Sequence, residues 1–326
     1  MFKKLFLVAL ALMMVAACFT GCAKKKEILI YTSCEDYRVE YMQKRLNEQF
    51  PDYKITVEYR DSGSHAAAIK ASGKDVACQI THDLEYGHAQ TIAADGILAD
   101  LSDIVDFSVF SEDLVESKYY LPEVRNGGAI IINKTVIERE GLDVPTSYED
   151  LLDPKYKGLI SMPNPASSGT GYMFLLNLVN AWGEEEAFEY FDALSENVLS
   201  FTSSGSGPVN ALVGGEVAVG LGMTSQAVTK INEGADLEIL FFEEGSPYSV
   251  YGQGIIAGNE DDEAVVEVFK FIATTLTEEM NELYYPEKLF ADKSFTIKNF
   301  PENIVYGDMK DNTAARKEEL LKKWSH

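Results

Sequence analysis

Short apolar segments alternate with stretches of helical periodicity in the first third of the chain. Residues 27–31 predict a buried strand, and residues 35–50 predict a helix whose apolar positions lie three or four apart. Residues 54–59 alternate as a second strand, 66–71 predict a short helix, and 76–81 predict a third strand. Strands and helices that alternate at this spacing indicate an α/β fold with a mainly parallel sheet.

The same alternation continues to the end of the chain, and no long proline- or serine-rich linker interrupts it. We expect two lobes that share crossing strands, each a mainly parallel sheet flanked by helices. The predicted division places lobe I at 27–127 and 252–326, lobe II at 128–251, and a crossing segment at Gly252–Gly258. Further strands are predicted at 128–133, 159–162, 216–221 and 237–242, and further helices at 148–152, 171–182, 184–199, 262–276, 278–285 and 313–324.

The N-terminus has the pattern of an export signal. Lys3 and Lys4 precede an apolar run at 5–19, which is shorter than the roughly 18 to 20 residues that a membrane-spanning helix needs. We therefore predict a signal peptide at 1–21 and an exported protein.

A cysteine follows this signal at a position typical of lipid attachment. Gly21 directly before Cys22 matches a bacterial lipobox, and the lysine-rich segment 22–26 is suited to a polar tether. We predict that Cys22 carries lipid. Cys18 is an alternative lipidation site, and a plain cleaved signal without lipid is a second alternative.

Composition and charge narrow the choice of partners. The 326 residues include 28 basic and 52 acidic side chains, for a formal net charge of −24. Such a chain repels phosphate backbones and anionic lipid headgroups, so nucleic-acid binding is a poor hypothesis. Hydrophobic residues make up 46% of the chain, which is typical of a folded protein.

Two further cysteines lie beyond the predicted tether. Cys78 lies in the apolar stretch 76–80, which favours a buried core thiol. Two cysteines are too few for a disulfide framework, but a disulfide between Cys34 and Cys78 is an alternative in an exported protein.

Three short Ser/Gly turns, at 62–64, 167–171 and 203–207, each come directly before a predicted helix. Four backbone N–H groups at a helix N-terminus lack partners within the helix, and glycine lets a ligand approach them. Ordinary helix capping explains any one such turn. Three turns that face one cleft from two lobes favour the binding of an oxyanion.

Polar residues also follow the first and third predicted strands. Thr32 and Ser33 come after the first strand, and residues 81–83 come after the third. Because ligands of open α/β sheets bind beyond the carboxyl ends of the strands, we expect these residues to converge with the turn at 62–64.

The sequence lacks the motifs of several types of catalytic or cofactor site. The chain has no phosphate-binding loop, no dinucleotide glycine motif after its first strand and no Gly-x-Ser-x-Gly, so we expect neither a nucleotide cofactor nor a catalytic serine. His65, His82 and His88 match no zinc spacing. We interpret them as surface or loop histidines, with His65 and His82 retained as candidate polar wall of the cleft, and we expect no metal or cofactor.

The tethered signal and the segments 31–33, 61–64, 163–171 and 214–220 resemble type II periplasmic solute-binding proteins of ABC importers. Within that family the chain is similar to the branch of ferric iron, thiamine, sugar-phosphate and 2-aminoethylphosphonate binders. The resemblance implies a lipid-anchored, non-catalytic monomer whose two lobes close on one solute by a hinge. It also implies delivery of that solute to an ABC permease with its ATPase subunits.

The resemblance and the turns together give the residues expected at the ligand. They are Thr32, Ser33, Ser62, Ser64, Thr81, Asp83, Ser167, Ser168, Gly169, Thr170, Ser204, Gly205, Ser206, Thr224 and Tyr251.

The choice of solute rests on a departure from the ferric binders. In those proteins adjacent tyrosines of the second lobe hold the metal, whereas residues 222–226 of this chain contain no tyrosine. The pair Tyr119 and Tyr120 is expected to pack at the hinge. A phosphonate, an organophosphate or a similar oxyanion is therefore favoured, with ferric iron or thiamine as alternatives.

Two questions stay open at this point. An amine on the solute would require a carboxylate in the cleft, such as Asp36, Asp61 or Asp83. An exported enzyme that acts on a phosphorylated solute, with His82 and Asp83 as acid–base residues, is the alternative from another class of protein.

Overall fold

The computed structural model describes residues 25–287, 289–309 and 311–326. The predicted signal peptide and Cys22 lie outside these residues. No helix in the described part of the chain has the length and apolarity to span a membrane.

The described residues form one sheet of nine strands with helices on its faces. The strands are β1 (Lys26–Thr32), β2 (Tyr53–Tyr59), β3 (Ile80–Glu85), β4 (Leu121–Asn133), β5 (Ile160–Pro163), β6 (Val198–Thr202), β7 (Val219–Met223), β8 (Leu237–Leu240) and β9 (Tyr248–Ile255). The helices are α1 (Asp36–Gln49), α2 (Ser62–Ser72), α3 (Tyr86–Ala94), α4 (Lys134–Glu140), α5 (Gly169–Trp182), α6 (Glu184–Ser195), α7 (Gly207–Val213), α8 (Thr224–Asn232), α9 (Glu263–Phe271), α10 (Thr277–Tyr284) and α11 (Ala314–Leu321).

The sheet has two parallel parts joined by two long antiparallel strands. Its order is β2-β1-β3-β9-β4-β7-β5-β6, with β8 also paired to β4. β1 pairs in parallel with β2 and β3, and β5 pairs in parallel with β6 and β7. The α/β class predicted from the sequence is confirmed.

β4 connects the two parts of the sheet. Residues 121–127 pair with β9, whereas residues 128–133 pair with β7 and β8. β9 returns beside it in the antiparallel direction and then pairs with β3. Two paired strands therefore cross between the lobes, which is a geometry suited to a hinge.

Each part of the sheet has its own apolar core. Met42 and Leu46 of α1 lie one turn apart and pack with Ile30 of β1 in the first core. Phe174 of α5 and Leu221 of β7 belong to the second. Burial of such a side chain stabilises the folded protein by about 1.5 to 3 kcal/mol. Because the apolar residues of α1 recur with helical periodicity, they lie on one face, and this face packs on the sheet.

The C-terminal helix contacts both parts of the molecule. Leu320 of α11 belongs to the second core, together with β5 and α5. Lys317 of the same helix forms an ion pair with Glu85 of β3. The predicted lobe boundaries stay a prediction. The C-terminal segment 311–326, which that prediction places in lobe I, packs on both lobes.

Several elements differ from their predicted positions. β4 begins at Leu121, seven residues before the strand predicted at 128–133, and β9 covers Tyr248–Ile255, where only a crossing segment at 252–258 was predicted. β3 lies at 80–85 and not at 76–81, because buried side chains of this strand include the polar His82 and Asp83. The helix predicted at 184–199 ends at Ser195, and strand β6 follows it. α2 begins at Ser62, four residues before the predicted start, because the Asp61 side chain caps it there.

The cysteine and histidine predictions have mixed outcomes. Cys34 and Cys78 are both buried and free, so the core-thiol interpretation of Cys78 is confirmed and the disulfide alternative is wrong. His65 and His82 are fully buried, so their interpretation as surface or loop histidines is wrong. Each of these two histidines accepts or donates a hydrogen bond with a threonine of a neighbouring strand.

Candidate functional site

A small polar cavity lies where the two parts of the sheet meet. Most of the residues that line it carry a hydroxyl or carboxyl group, and none of the described residues that line it is a lysine or arginine. Its walls are formed by Ser33, Cys34, Glu35, Tyr59, Asp61, Ser62, Asp83, Asn126, Ser168, Thr170, Ser203, Ser204, Gly205, Ser206, Met223 and Tyr251.

The lobes touch each other at the rim of this cavity. The backbone N–H of Gly63, in α2, donates to the carbonyl oxygen of Ser167 at 3.0 Å. This direct contact between the lobes describes a closed cleft.

The N-terminus of α5 forms one wall. The hydroxyl of Ser168 accepts a hydrogen bond from the N–H of Gly171 at 3.3 Å, and Thr170, in the first turn of the helix, also lines the cavity. A Cβ atom at Gly171 would lie 2.4 Å from the carbonyl oxygen of Pro163, so only glycine lets the turn fold this tightly. The positive end of a 14-residue helix therefore faces the cavity beside two hydroxyls.

The turn at 203–206 packs against this wall. The hydroxyls of Ser204 and Ser206 lie 2.7 Å apart, and the N–H of Ser206 donates to Ser204 Oγ at 3.2 Å. A Cβ atom at Gly205 would lie 2.3 Å from Thr170 Oγ1. Glycine is thus required where the two turns approach each other, and their hydroxyls reach one volume.

The opposite wall comes from α2 and the end of β1. Asp61 caps α2 by accepting the N–H of Ser64 at 2.9 Å, and Ser62 lines the cavity beside it. The hydroxyl of Ser33 lies 2.8 Å from Nδ1 of His65, which holds the serine in position. The three Ser/Gly turns of the sequence therefore surround one cavity.

A group of buried charges forms the floor. The guanidinium of Arg38 lies 3.2 Å from a carboxylate oxygen of Glu35, 3.1 Å from one of Asp83 and 2.5 Å from one of Glu123. Glu35 and Asp83 line the cavity, whereas Glu123 is sealed behind them with no exposed surface. The phenol of Tyr285 donates to Glu35 at 3.1 Å.

Burial changes the protonation of this floor. Burial, opposed by the Arg38 charge and reinforced by the Glu123 charge, raises the pKa of Asp83 to about 6. Burial likewise raises the pKa of Glu35 and lowers the pKa of His82 to about 3. His82 is therefore neutral at pH 7 and is poorly suited to accept a second proton in acid–base chemistry.

The structure brings most of the expected residues to the cavity. Those that line it are Ser33, Ser62, Asp83, Ser168, Thr170, Ser204, Gly205, Ser206 and Tyr251.

The other expected residues lie close by but do not line the cavity, for physical reasons that differ. The hydroxyls of Thr32 and Thr81 are hydrogen-bonded to His82 and His65 in the interior. Gly169 is packed against the phenol of Tyr251. The remaining three are Ser64, which is exposed on α2, Ser167, which contacts Gly63 at the rim, and Thr224, which is fully buried.

Arg38, Glu35 and Glu123 were not predicted from the sequence. One signal was available, because Arg38 lies four and eight residues before Met42 and Leu46 and is therefore on the apolar face of α1. A charged residue at a core position of a helix requires buried partners. Nothing in the sequence identifies Glu123 as one of them.

The fold and the site define a class of protein that captures a small polar molecule between two hinged lobes. Residues 35–281 match the family model of bacterial extracellular solute-binding proteins, and the chain belongs to this family.

Known proteins resemble the chain over its whole length or over part of it. An uncharacterized protein of Haemophilus influenzae is 26% identical, over 99% of this chain and 97% of the relative. A putative 2-aminoethylphosphonate-binding periplasmic protein of Salmonella typhimurium is 27% identical over 37% of this chain and 35% of its own length. The periplasmic binding protein AfuA from Actinobacillus pleuropneumoniae, solved with exogenous fructose-6-phosphate, superposes with a TM-score of 0.82, covering 93% of this chain and 98% of AfuA at 22% identity. The fold is thus that of type II periplasmic binding proteins, as the sequence predicts.

Proposed function

We propose that the protein captures a small zwitterionic solute, which carries both an oxyanion and an amine, and delivers it to an ABC importer. The observation that carries this proposal is the presence of two opposite chemistries in one cavity. Ser168 and Thr170 at the N-terminus of α5 offer donors to an anion, while Glu35 and Asp83 offer acceptors to a cation.

A simple anion fits this cavity less well than a zwitterion. The Glu35 and Asp83 carboxylates repel a second negative charge at short range, where solvent screens little. An ammonium group on the same solute turns this repulsion into attraction. The carboxylate that an amine would require is therefore supplied by Asp83 and by Glu35, whereas Asp36 is exposed and does not line the cavity.

The names of two similar proteins give partial support to this solute class. A relative is named as a putative binder of 2-aminoethylphosphonate, which is itself such a zwitterion, and AfuA was solved with a sugar phosphate, which has the oxyanion but no amine. The family supports an exported binding protein that serves a transporter. Attachment to the membrane through Cys22 and transfer to permease and ATPase subunits belong to the same proposal.

A thermal-shift panel tests the proposal. The panel contains 2-aminoethylphosphonate, ethylphosphonate, fructose 6-phosphate, spermidine, thiamine and ferric ion. A ligand that binds only the folded protein raises its apparent stability by about 2.7 kcal/mol at a hundred times its Kd, which is a measurable rise in Tm. We expect the aminophosphonate to give the largest rise. A larger rise with ferric ion, thiamine or spermidine would contradict the proposal.

The same panel decides between binding and catalysis. The solute that stabilises the protein is incubated with it and then analysed by mass spectrometry. We expect the solute to be recovered unchanged, whereas conversion to a product would favour the enzyme alternative.

A further inference from the structure

The floor of the cavity contains more negative than positive charge. Arg38 faces three carboxylates, those of Glu35, Asp83 and Glu123, and all four side chains are buried. In the described part of the chain, Arg38 is the one lysine or arginine that forms an ion pair with any of the three. One further oxygen of the group, Glu123 Oε2, has no hydrogen-bond partner within the described residues.

Among the residues that the structure describes, the groups around this floor do not supply the missing positive charge. The imidazole of His82 lies 3.6 Å from Glu123, but burial lowers its pKa to about 3 and keeps it neutral. The other titratable groups described around the floor are a thiol, five phenols and one carboxyl, none of which carries a positive charge. They are Cys34, Tyr37, Tyr59, Tyr251, Tyr284, Tyr285 and Asp61.

An uncompensated negative charge is costly in the interior, so such a site takes up protons or a cation. Burial raises the pKa of Asp83 to about 6 and also raises that of Glu35, in agreement with this expectation. The two carboxyls lie against the same guanidinium nitrogen, and the Asp83 charge itself raises the pKa of Glu35, so their protonation is linked. Both line the cavity, where a cation of the solute can reach them.

We propose that the empty cavity holds a proton on the Glu35 and Asp83 pair, and that the cationic group of the solute displaces it on binding. This inference rests on the proposed function and adds proton release to it. In the step, a carboxyl O–H bond breaks, the proton leaves to the solvent, and the resulting carboxylate pairs with the ammonium of the solute. Capture is then stronger at higher pH, because protons compete with the solute for the pair.

Arg38 acts as a positioning residue in this arrangement. Its Nη1 contacts both Glu35 and Asp83, Nη2 is committed to Glu123, and its guanidinium lies over the ring of Tyr285 at 4.8 Å. Arg38 does not line the cavity, so it orients the pair without contacting the solute.

The backbone at Asp83 is consistent with a functional constraint. Asp83 has a φ of +54°, in the left-handed region that few residues other than glycine adopt. Such a conformation in a buried cavity wall persists only where its surroundings impose it. Asparagine tolerates the same region, so Asp83→Asn changes the charge without a new backbone cost.

Infrared spectroscopy of the protein without solute tests for the stored proton. Protonated carboxyls give a carbonyl-stretch band that carboxylates lack, and at about pH 5.5 most surface acids are ionised. We expect the difference spectrum between wild type and Asp83→Asn to show a band of up to about one carboxyl that disappears by about pH 8. Glu287, whose pKa burial raises to about 7, contributes to both proteins and cancels in the difference.

The matched control for this measurement is Asp36→Asn, which removes an exposed carboxyl from the same helix as Arg38. We expect no such band in the difference between wild type and Asp36→Asn. Equal spectra for wild type and Asp83→Asn at about pH 5.5 would overturn the inference, whatever the solute.

Calorimetry tests the displacement itself. Titration of the full-length protein with 2-aminoethylphosphonate, in buffers of different ionisation enthalpy, counts the protons released per bound solute. At about pH 5.5 we expect wild type and Asp36→Asn to release about one half to one proton more than Asp83→Asn, and at about pH 8 we expect no difference. Protons from the phosphonate are common to all three proteins and cancel.

The outcomes separate the two proposals. Binding of 2-aminoethylphosphonate with equal proton release by wild type and Asp83→Asn would overturn the inference and leave the proposed function in place. An absence of binding at both pH values would contradict the proposed function, and the infrared result would then decide the inference alone.

Discussion

The backbone N–H of Gly63 donates to the carbonyl oxygen of Ser167 at 3.0 Å, so a turn of one lobe is bonded directly to a turn of the other across the mouth of the cavity. A Cβ atom at Gly63 would lie 3.1 Å from Ser167 Cα and 3.2 Å from the carbonyl oxygens of Ala166 and Ser167. All three are backbone atoms, which cannot rotate away. The close approach of the lobes therefore depends on a glycine at this position.

Substitution of Gly63 tests the closed geometry. We expect Gly63→Val to weaken solute binding by about tenfold or more, since side-chain atoms at this rim obstruct closure and a tenfold loss requires only about 1.4 kcal/mol. Ala67→Val, on the exposed face of the same helix, is the control for the effect of valine on helix stability. The measurement is the Kd for 2-aminoethylphosphonate, with the Tm of each variant. Equal affinities for the two variants would show that this contact is unimportant for closure.

The buried ion pair between Lys317 and Glu85 tests the attachment of the C-terminal helix. The two charged atoms lie 2.6 Å apart with almost no exposure, and Lys317 Nζ lies 4.7 Å from the centre of the Tyr172 ring. We expect Lys317→Met to lower the free energy of unfolding by about 3 kcal/mol, because it leaves the Glu85 carboxylate buried without its partner. Urea unfolding measures the loss.

Lys323→Met is the matched control, since Lys323, two residues after the end of α11, pairs with Glu184 of α6 but is half exposed. Its effect should be below about 1 kcal/mol. A second variant, Lys317→Met with Glu85→Gln, should recover part of the stability. Equal losses of unfolding free energy for Lys317→Met and Lys323→Met would contradict the claim that the buried Lys317–Glu85 ion pair attaches the C-terminal helix.

This pair also has a pH dependence of defined sign. Burial opposes ionisation of Glu85, but the Lys317 charge outweighs it and holds the pKa of Glu85 at about 2. A depressed pKa in the folded state gives stability that is present above about pH 4.5 and is lost as the pH falls toward 2. Lys317→Met should therefore have its largest effect near neutral pH and little effect in strong acid.

Asp83→Asn is expected to stabilise the protein while it weakens binding. The folded state holds a proton on Asp83 up to about pH 6, whereas the unfolded chain loses it near pH 3.8, so wild-type stability falls as the pH rises through this window. At pH 7 the variant should gain up to about 3 kcal/mol of unfolding free energy, and it should lose about tenfold or more in affinity for the aminophosphonate. A variant less stable than wild type at pH 7 would contradict the charge imbalance at the cavity floor.

The periodicity of apolar residues was sufficient to predict the α/β class, because it indicates which side chains pack in a core. The apolar spacing of α1 and the strand β1 were placed within a residue or two, and the α/β class followed from the alternation. The boundaries of β3 were wrong because the polar side chains of His82 and Asp83 are buried there, which an apolar pattern does not indicate.

The site was only partly predictable for a similar reason. Serine and glycine at helix starts identify a candidate anion site locally, and residues of the predicted turns at 62–64, 167–171 and 203–207 indeed meet at the cavity. The acidic floor joins α1, β3 and β4, and Arg38 and Glu123 are 85 residues apart in the chain. No local spacing in the sequence indicates such a contact, so the acidic floor of the cavity is evident only from the tertiary structure.

The most direct test of the central claim is a calorimetric comparison of 2-aminoethylphosphonate with ethylphosphonate, which has the same phosphonate but no amine, at about pH 7.5. The account predicts that the aminophosphonate binds about ten to a hundred times more tightly, as expected for a charge-assisted hydrogen bond of roughly 1.5 to 3 kcal/mol between its ammonium and the Glu35 and Asp83 pair. Equal affinity for the two compounds, or tighter binding of ethylphosphonate, would contradict it.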